Sequence, residues 1–395
     1  MEGTLSPLPA LRAILAPRGE QRLRRGHPWV YRSDLLELPQ RAGIGTVLAP
    51  DGEVLTTALL NPDSQIAVRD LGRDWSERAL EERLERALAL RSALHIDGDA
   101  YRLVHGEGDR LPGLVIDRYG EVLVIQNGAA GFEPQLEGVI RWLAQRLAPR
   151  GVLARHDQAS REREGLPREC RVLLGEVPQQ LQVWEAGLQL LVDPYRGQKT
   201  GAFLDQRETR QRLGQLAHGD ALDVFCYQGA FAVHLARSPA VRSLRCVDTS
   251  LPALRQAAAN LARNGVGPQR ARLVRANAFR ELPELAAKGQ RFQTINLDPP
   301  ALARKRADLP AAYRAYRELN RRALALLDVG GLLCSSSCSF HLAPTLLEQL
   351  VAEAAADLGQ SLRVLERRAQ SADHPELLGV PETRYLKTIL VERIR

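Results

Sequence analysis

Ala221-Leu-Asp-Val-Phe-Cys-Tyr-Gln-Gly-Ala-Phe231 joins a short apolar strand to a helix through a tight turn marked by Gly229. Further strand-like runs lie at Leu244–Val247, Ala271–Val274, Thr294–Leu297 and Leu332–Ser335. They alternate with helical runs at Leu251–Asn264 and Tyr313–Leu327. Such alternation predicts a mostly parallel sheet with helices on both faces, the Rossmann-like α/β class, over residues 188–395. Leu362–Arg367 and Tyr385–Glu392 read as two closing strands joined by a loop.

Upstream the pattern changes twice. Residues 11–73 hold short apolar runs, Ile14–Ala16, Trp29–Tyr31, Gly45–Leu48, Leu55–Leu60 and Ile66–Arg69, punctuated by Pro17, Gly19, Pro39, Gly43, Pro50, Gly52 and Pro62. This predicts a small β-barrel. Residues 74–187 predict a central α+β domain. Ser76 reads as the N-cap of a helix reaching about Leu94. Strands follow at Tyr101–His105, Gly113–Asp117 and Val122–Gln126, then a helix at Pro134–Leu147 and a strand at Val152–Ala154. The polar stretch Arg155–Glu169 marks that unit's end.

The whole chain has 395 residues, 45% hydrophobic and 26% charged, as expected of a folded multidomain protein. No apolar run approaches the length of a bilayer span, and the start lacks the form of a secretory signal. Five cysteines at no metal-ligand spacing argue against a zinc site or a disulfide framework. A cytoplasmic protein without a membrane partner is expected. Net charge is +7, and four lysines leave 50 of the 54 basic residues as arginine. Arginine suits phosphates and bases, so the balance slightly favours an acidic partner.

The turn at Gly229 has one glycine, not the several that a pyrophosphate cradle needs, which disfavours a dinucleotide. Asp248 ends the next strand-like run 19 residues later, where an acid would hold a ribose diol. An adenosine ligand without phosphate fits, and S-adenosylmethionine is one. Asp298-Pro-Pro300 ends another strand and aims an acid at the same cleft. An enzyme methylating an exocyclic base amine would be expected to place an aromatic next, where this chain has Ala301. Cys338, in Ser335-Ser-Ser-Cys-Ser339, lies at the cleft mouth, where a thiol can act as a nucleophile.

Taken together these residues resemble the RlmI-type large-subunit ribosomal RNA methyltransferases, which make 5-methylcytosine. The resemblance covers nearly the whole chain. It runs from Gly26-His-Pro-Trp-Val30 in a PUA-like domain through Leu103-Val-His-Gly-Glu-Gly-Asp109 and Leu111-Pro-Gly-Leu114. It continues with Gly197-Gln-Lys-Thr-Gly-Ala-Phe-Leu-Asp-Gln-Arg207, Asp223–Phe231, Val247-Asp-Thr-Ser250, Asn277-Ala-Phe279, Asp298-Pro-Pro300 and Ser337-Cys-Ser339. Asp373-His-Pro375 and Tyr385-Leu-Lys387 close it.

What the resemblance implies is a C-terminal class I methyltransferase sheet preceded by a PUA-like barrel and a central α+β domain. It implies S-adenosylmethionine held by Gln198, Lys199, Thr200, Phe203, Asp205, Gln206, Asp223, Phe225, Tyr227, Gly229, Asp248, Thr249, Asn277, Ala278, Asp298 and Pro299. It also implies Cys338 as nucleophile, with Asp298 beside the target base. Ribosomal RNA is the expected partner, and the family is compatible with a homodimer. Arg24, Arg25 and Trp29 in the barrel are expected to hold RNA, as are Arg304, Lys305 and Arg306. The last three open a run with seven basic and two acidic residues between 304 and 322. Two other readings stay open on the residues alone: methylation of another base atom, and a non-catalytic RNA-binding protein on the same fold.

Overall fold

A computed structural model describes residues 11–303 and 305–395. The chain divides into two compact units. One runs to Leu181 and takes in Val192–Ala202 and Ala372–Thr383. The other comprises Gln182–Leu191, Phe203–Ser371 and Arg384–Arg395.

The first unit opens with a six-stranded sheet built from Arg12–Leu15, Trp29–Val30, Leu35–Glu37, Gly43–Leu48, Val54–Leu60 and Val68–Gly72. Its core is Ala13, Leu15, Val47, Ala58 and Leu60. Where the sequence predicts only turns at Pro17 and Gly19, there is a helix, Pro17–Arg24. Pro17 sits in its first turn, where a missing N–H costs nothing. Gly19 packs so closely that a Cβ would lie 2.5 Å from the Asp34 carbonyl oxygen.

A five-stranded sheet follows, from Ala100–His105, Leu114–Tyr119, Val122–Asn127, Gly151–His156 and Glu169–Gly175. Helices Glu77–Ala93 and Leu136–Leu147 accompany it, and the Ser76 side chain caps the first of them by accepting from Ala79 N–H at 3.2 Å. The polar stretch after His156 does not end this unit. It leads into Glu169–Gly175, which pairs antiparallel with Gly151–His156. An edge strand needs little apolar surface, so its pattern is weak. Residues on both sides of 73/74 belong to this one compact unit, where Leu59 and Leu71 share a buried cluster with Leu84, Leu103 and Ile116.

The second unit is built on seven strands: β1 Gly219–Val224, β2 Val241–Asp248, β3 Ala271–Arg275, β4 Phe292–Leu297, β5 Leu327–Ser337, β6 Leu362–Arg368 and β7 Lys387–Arg393. Their order is β3-β2-β1-β4-β5-β7-β6. The first five are parallel, and β7 runs antiparallel between β5 and β6. Helices α1 Ala230–Arg237, α2 Leu251–Arg263, α3 Ala278–Ala287, α4 Leu309–Ala325 and α5 Pro344–Ala356 belong to it, as does the helix Arg207–Leu216 that precedes β1. The internal Pro283 hides α3 from a reading by pattern. Leu222, Ile295, Leu333, Leu319 and Leu350 are fully buried in the core of this layer. Strand order reverses between β1 and β4, which opens a crevice at the strands' carboxyl ends. No described helix is long and apolar enough to cross a membrane.

One buried ion cluster lies in this unit. Glu185 accepts from Arg210 Nε at 2.5 Å and from a second Arg210 nitrogen, and meets His234 Nε2 on α1 at 2.8 Å. Burial alone would raise its pKa, but Arg210 and His234 override that and hold it down to about 2.

Candidate active site

The turn after β1 is unusual in its backbone. Phe225, Tyr227 and Gly229 all have positive φ, a conformation that costs non-glycine residues about 1–3 kcal/mol each. Asp248, at the end of β2, supports it: one carboxylate oxygen accepts from Tyr227 N–H at 2.9 Å and the other from Ser250 N–H at 2.8 Å. Gly229 has φ +76°, and a Cβ there would meet Ala257 of α2 at 2.9 Å. The close packing of α2 and the positive φ both select glycine here.

Asp223 is fully buried on β1. One carboxylate oxygen accepts from Asn296 on β4 at 2.8 Å, and the other has no hydrogen-bond partner. Burial raises its pKa to about 7, and the charges of Asp298 and Asp248 push the same way. Three acids from β1, β2 and β4 therefore sense one another at the crevice. A ligand bearing both an ammonium and a sulfonium suits this lip, and the orphaned oxygen of Asp223 is the kind of buried acceptor that such a ligand satisfies.

Asp298 follows β4 and is half-buried, with Pro299 buried and Pro300 exposed. Asn277 caps α3, its side chain accepting from Phe279 N–H at 2.9 Å. Phe203 packs edge-on to Tyr227, with ring centroids 5.5 Å apart. Thr249 is exposed. Further expected cofactor residues also make contacts within the protein. The Ala278 side chain belongs to the core. Asp205 is buried and accepts from Tyr385 O–H at 2.8 Å, and Gln206 is buried beside it in sequence.

Gln198, Lys199 and Thr200 fall in the first unit. Thr200 is fully buried, its hydroxyl donating to Asp117 at 2.6 Å and lying 2.8 Å from the Tyr119 hydroxyl. That side chain holds its own loop. Gln198 is exposed, and Lys199 is half-buried with a positive φ.

Cys338 comes directly after β5, one strand over from Asp298, and is partly accessible. Cys226, Cys246 and Cys334 are buried. A hydrogen bond with Cys246 and burial push the Cys226 thiol far up. Burial does the same to Cys334. Cys170 is exposed but lies in the first unit. Phe340, two residues past Cys338, exposes its ring and stacks edge-on with His341 at 5.2 Å. Its isolation in a loop gave no pattern to find it by.

The expected RNA residues divide. Arg24 is exposed and paired with Glu20 at 2.8 Å and Glu53 at 2.5 Å, and the Trp29 indole donates to Glu107 at 2.8 Å. Arg25 lines a cavity of about 400 Å³ with Arg18, Gln21, Arg22, His27 and Glu382. Arg304 lies outside the described residues, and Lys305 and Arg306 are exposed. Farther along α4, Arg317 pairs with Glu353 and Asp357, and Arg321 and Arg322 pair with Glu318. Much of that run is a neutralised helix face.

This strand order is that of the S-adenosylmethionine-dependent methyltransferase fold. A family model described as S-adenosylmethionine-dependent methyltransferase matches residues 102–392, and a PUA-like domain model matches 13–73. Among similar solved structures, one described as a SAM-dependent methyltransferase from Streptococcus mutans has TM-score 0.82 at 20% identity, covering 97% of this chain and 100% of that one. SMU.776, complexed with SAH, has TM-score 0.84 at 20% identity with the same coverage. These share the fold. Ribosomal RNA large subunit methyltransferase I of Shewanella amazonensis is 37% identical over 96% of this chain and 99% of its own length. The Klebsiella pneumoniae protein of that name is 36% identical over 95% and 96%. The chain belongs to this ribosomal RNA large subunit methyltransferase I family, within the S-adenosylmethionine-dependent methyltransferases.

Proposed function

We propose that the protein methylates C5 of a cytosine in large-subunit ribosomal RNA, with Cys338 as a covalent nucleophile at C6. The observation that carries this reading is the single partly accessible thiol among the described cysteines of the methyltransferase unit, at the end of β5 beside the Asp298 strand end. S-adenosylmethionine, when bound, supplies an electrophilic methyl group. Cytosine C5 is a poor nucleophile until a thiolate adds at C6 and turns the ring into an enamine. Asp298, as its protonated carboxyl, donates to N3 and so takes up the negative charge that develops there as the thiolate adds. Phe340 offers a face on which an unstacked base can rest. After transfer a base, a water in the cleft, takes the C5 proton, the C5–H electron pair re-forms the C5–C6 double bond, and Cys338 leaves as its thiolate. Incubation with labelled S-adenosylmethionine and ribosomal RNA, then digestion to nucleosides, should yield labelled 5-methylcytidine. Label in a methylguanosine instead would overturn the reading.

For the cofactor, Asp223, Asp248 and the Phe225–Tyr227 turn are the residues proposed to hold it, with the Asp248 carboxylate on the ribose hydroxyls. Asp248→Ala should weaken S-adenosylmethionine binding roughly ten- to a hundred-fold, the loss of a charged hydrogen bond worth ~1.5–3 kcal/mol. Calorimetry giving unchanged affinity would remove Asp248 from the site.

For RNA, the arginine-lined cavity of the first unit is proposed to seat backbone phosphate, in a protein working in the cytoplasm with its substrate. Deleting residues 11–73 would strip Leu59 and Leu71 from a shared core, so a point substitution tests this better. Arg25→Ala should reduce the logarithmic salt slope of RNA binding by about one and leave cofactor affinity unchanged. An unaltered slope in filter binding would exclude Arg25 from the contact.

A further inference from the structure

In the antiparallel pairing of β5 and β7, Ser337 lies opposite Lys387. Cys338 follows Ser337 and precedes Ser339. The Lys387 ammonium donates to the Ser339 carbonyl oxygen at 2.6 Å. The lysine thus spans the turn that carries the thiol, from the residue before Cys338 to the residue after it. Of the four lysines, Lys387 is the buried one.

The turn is held from its other side as well. Ser337 Oγ donates to the Tyr316 hydroxyl at 2.9 Å, and Ser339 Oγ lies 3.0 Å from the same hydroxyl. Ser339 N–H donates to Ser337 Oγ at 3.1 Å, and Ala303 N–H donates to Ser339 Oγ at 3.2 Å. Ser337, Ser339 and Tyr316 are fully buried. The backbone around Cys338 is therefore fixed, and the charge on Lys387 stays close to it.

The charged neighbours are consistent with this. Burial lowers the Lys387 pKa to about 8, Cys338 pulls it back up, and Arg384 lowers it further. Burial first, and Cys338 as well, raise the Tyr316 phenol, which stays neutral at physiological pH. Arg384 and Lys387 bring positive charge to this end of the strand, and Asp298, at the end of the neighbouring strand, when ionised brings the negative charge that they must outweigh.

We propose that Lys387 is a positioning residue that holds Cys338 as its thiolate, by fixing an ammonium to the turn that carries it. Ionisation sends the thiol proton to solvent, and Lys387 keeps its own. The proposal rests on Cys338 being the nucleophile, but its test does not depend on methyl transfer.

The test is the rate at which iodoacetamide alkylates Cys338 as a function of pH, read by mass spectrometry on the Cys338 peptide so that Cys170 does not interfere. In the wild-type protein the midpoint should lie below ~8.5, the value of an ordinary thiol. Lys387→Met should move the midpoint up by about one unit or more, slowing alkylation at pH 7 about ten-fold. Lys387→Arg, which keeps the charge, should restore most of the shift. A merely structural lysine would leave the midpoint in place. A wild-type midpoint at or above ~8.5 overturns the proposal whether or not the variants fold, as does a folded Lys387→Met protein with the wild-type midpoint. If the midpoint moves but Cys338→Ala still methylates RNA, the nucleophile reading fails and the coupling stands. If Cys338→Ala is inactive and the midpoint does not move, the coupling alone fails.

Discussion

Cys338→Ala should lower methyl transfer to RNA by about a thousand-fold or more, the scale seen when a covalent nucleophile is removed. S-adenosylmethionine affinity should be unchanged, because the acids proposed to hold it sit at the ends of β1 and β2, whereas Cys338 follows β5. No other cysteine of that unit can substitute. Cys334 lies four residues earlier inside β5, 1% exposed, with its thiol pushed up by burial. Cys226 and Cys246 are buried against one another. Cys334→Ala should therefore cost stability at most, in a site that a smaller apolar side chain fills incompletely. A Cys338→Ala protein retaining a tenth of wild-type methyl transfer in a single-turnover assay would exclude covalent catalysis by this residue.

Arg210→Ala should be the most destabilising single change, by about 3–5 kcal/mol at pH 7, because it leaves the buried Glu185 carboxylate without its bidentate partner. Arg210 and Glu185 side chains are 2% and 1% exposed, so solvent screens them little. The effect depends on pH with a definite sign. Glu185 titrates at about 2 in the folded protein and at ~4.3 when unfolded. Its depressed pKa contributes stability that is fully present above the unfolded value and is lost as pH falls toward the folded one. The gap between wild type and variant should accordingly narrow as pH falls below ~5. Hydrogen exchange of α1 and of the helix Arg207–Leu216 reports this locally. Less than 1 kcal/mol at pH 7, or a gap that widens toward low pH, would refute it.

Asp223, Asp248 and Asp298 are legible in the sequence because each sits in or just beyond an apolar strand, where side chains reach a crevice. Cys338 is legible because a polar serine run succeeds a core strand. The surroundings of Thr200 and Ala278 are not legible, because a motif names residues without saying which way they face. One turns its hydroxyl to Asp117 and the other its methyl to the core. The helix at Pro17–Arg24 is hidden because proline and glycine read as punctuation, while here one starts the helix and the other permits a close contact. Arg24 reads as an RNA contact because Glu53, 29 residues away, gives no local sign of pairing with it. Lys387 is missed because its partner, the carbonyl of Ser339, is 48 residues distant and backbone.

The central claim is that Cys338 attacks the target cytosine during transfer to C5. RNA carrying 5-fluorocytosine tests both parts at once, since fluorine cannot leave C5 as a proton does and the adduct persists. Incubation with S-adenosylmethionine should give a denaturation-resistant protein–RNA complex whose protease peptide contains Cys338. Absence of the complex under conditions where unsubstituted RNA is methylated, or a complex through any other residue, would contradict the account.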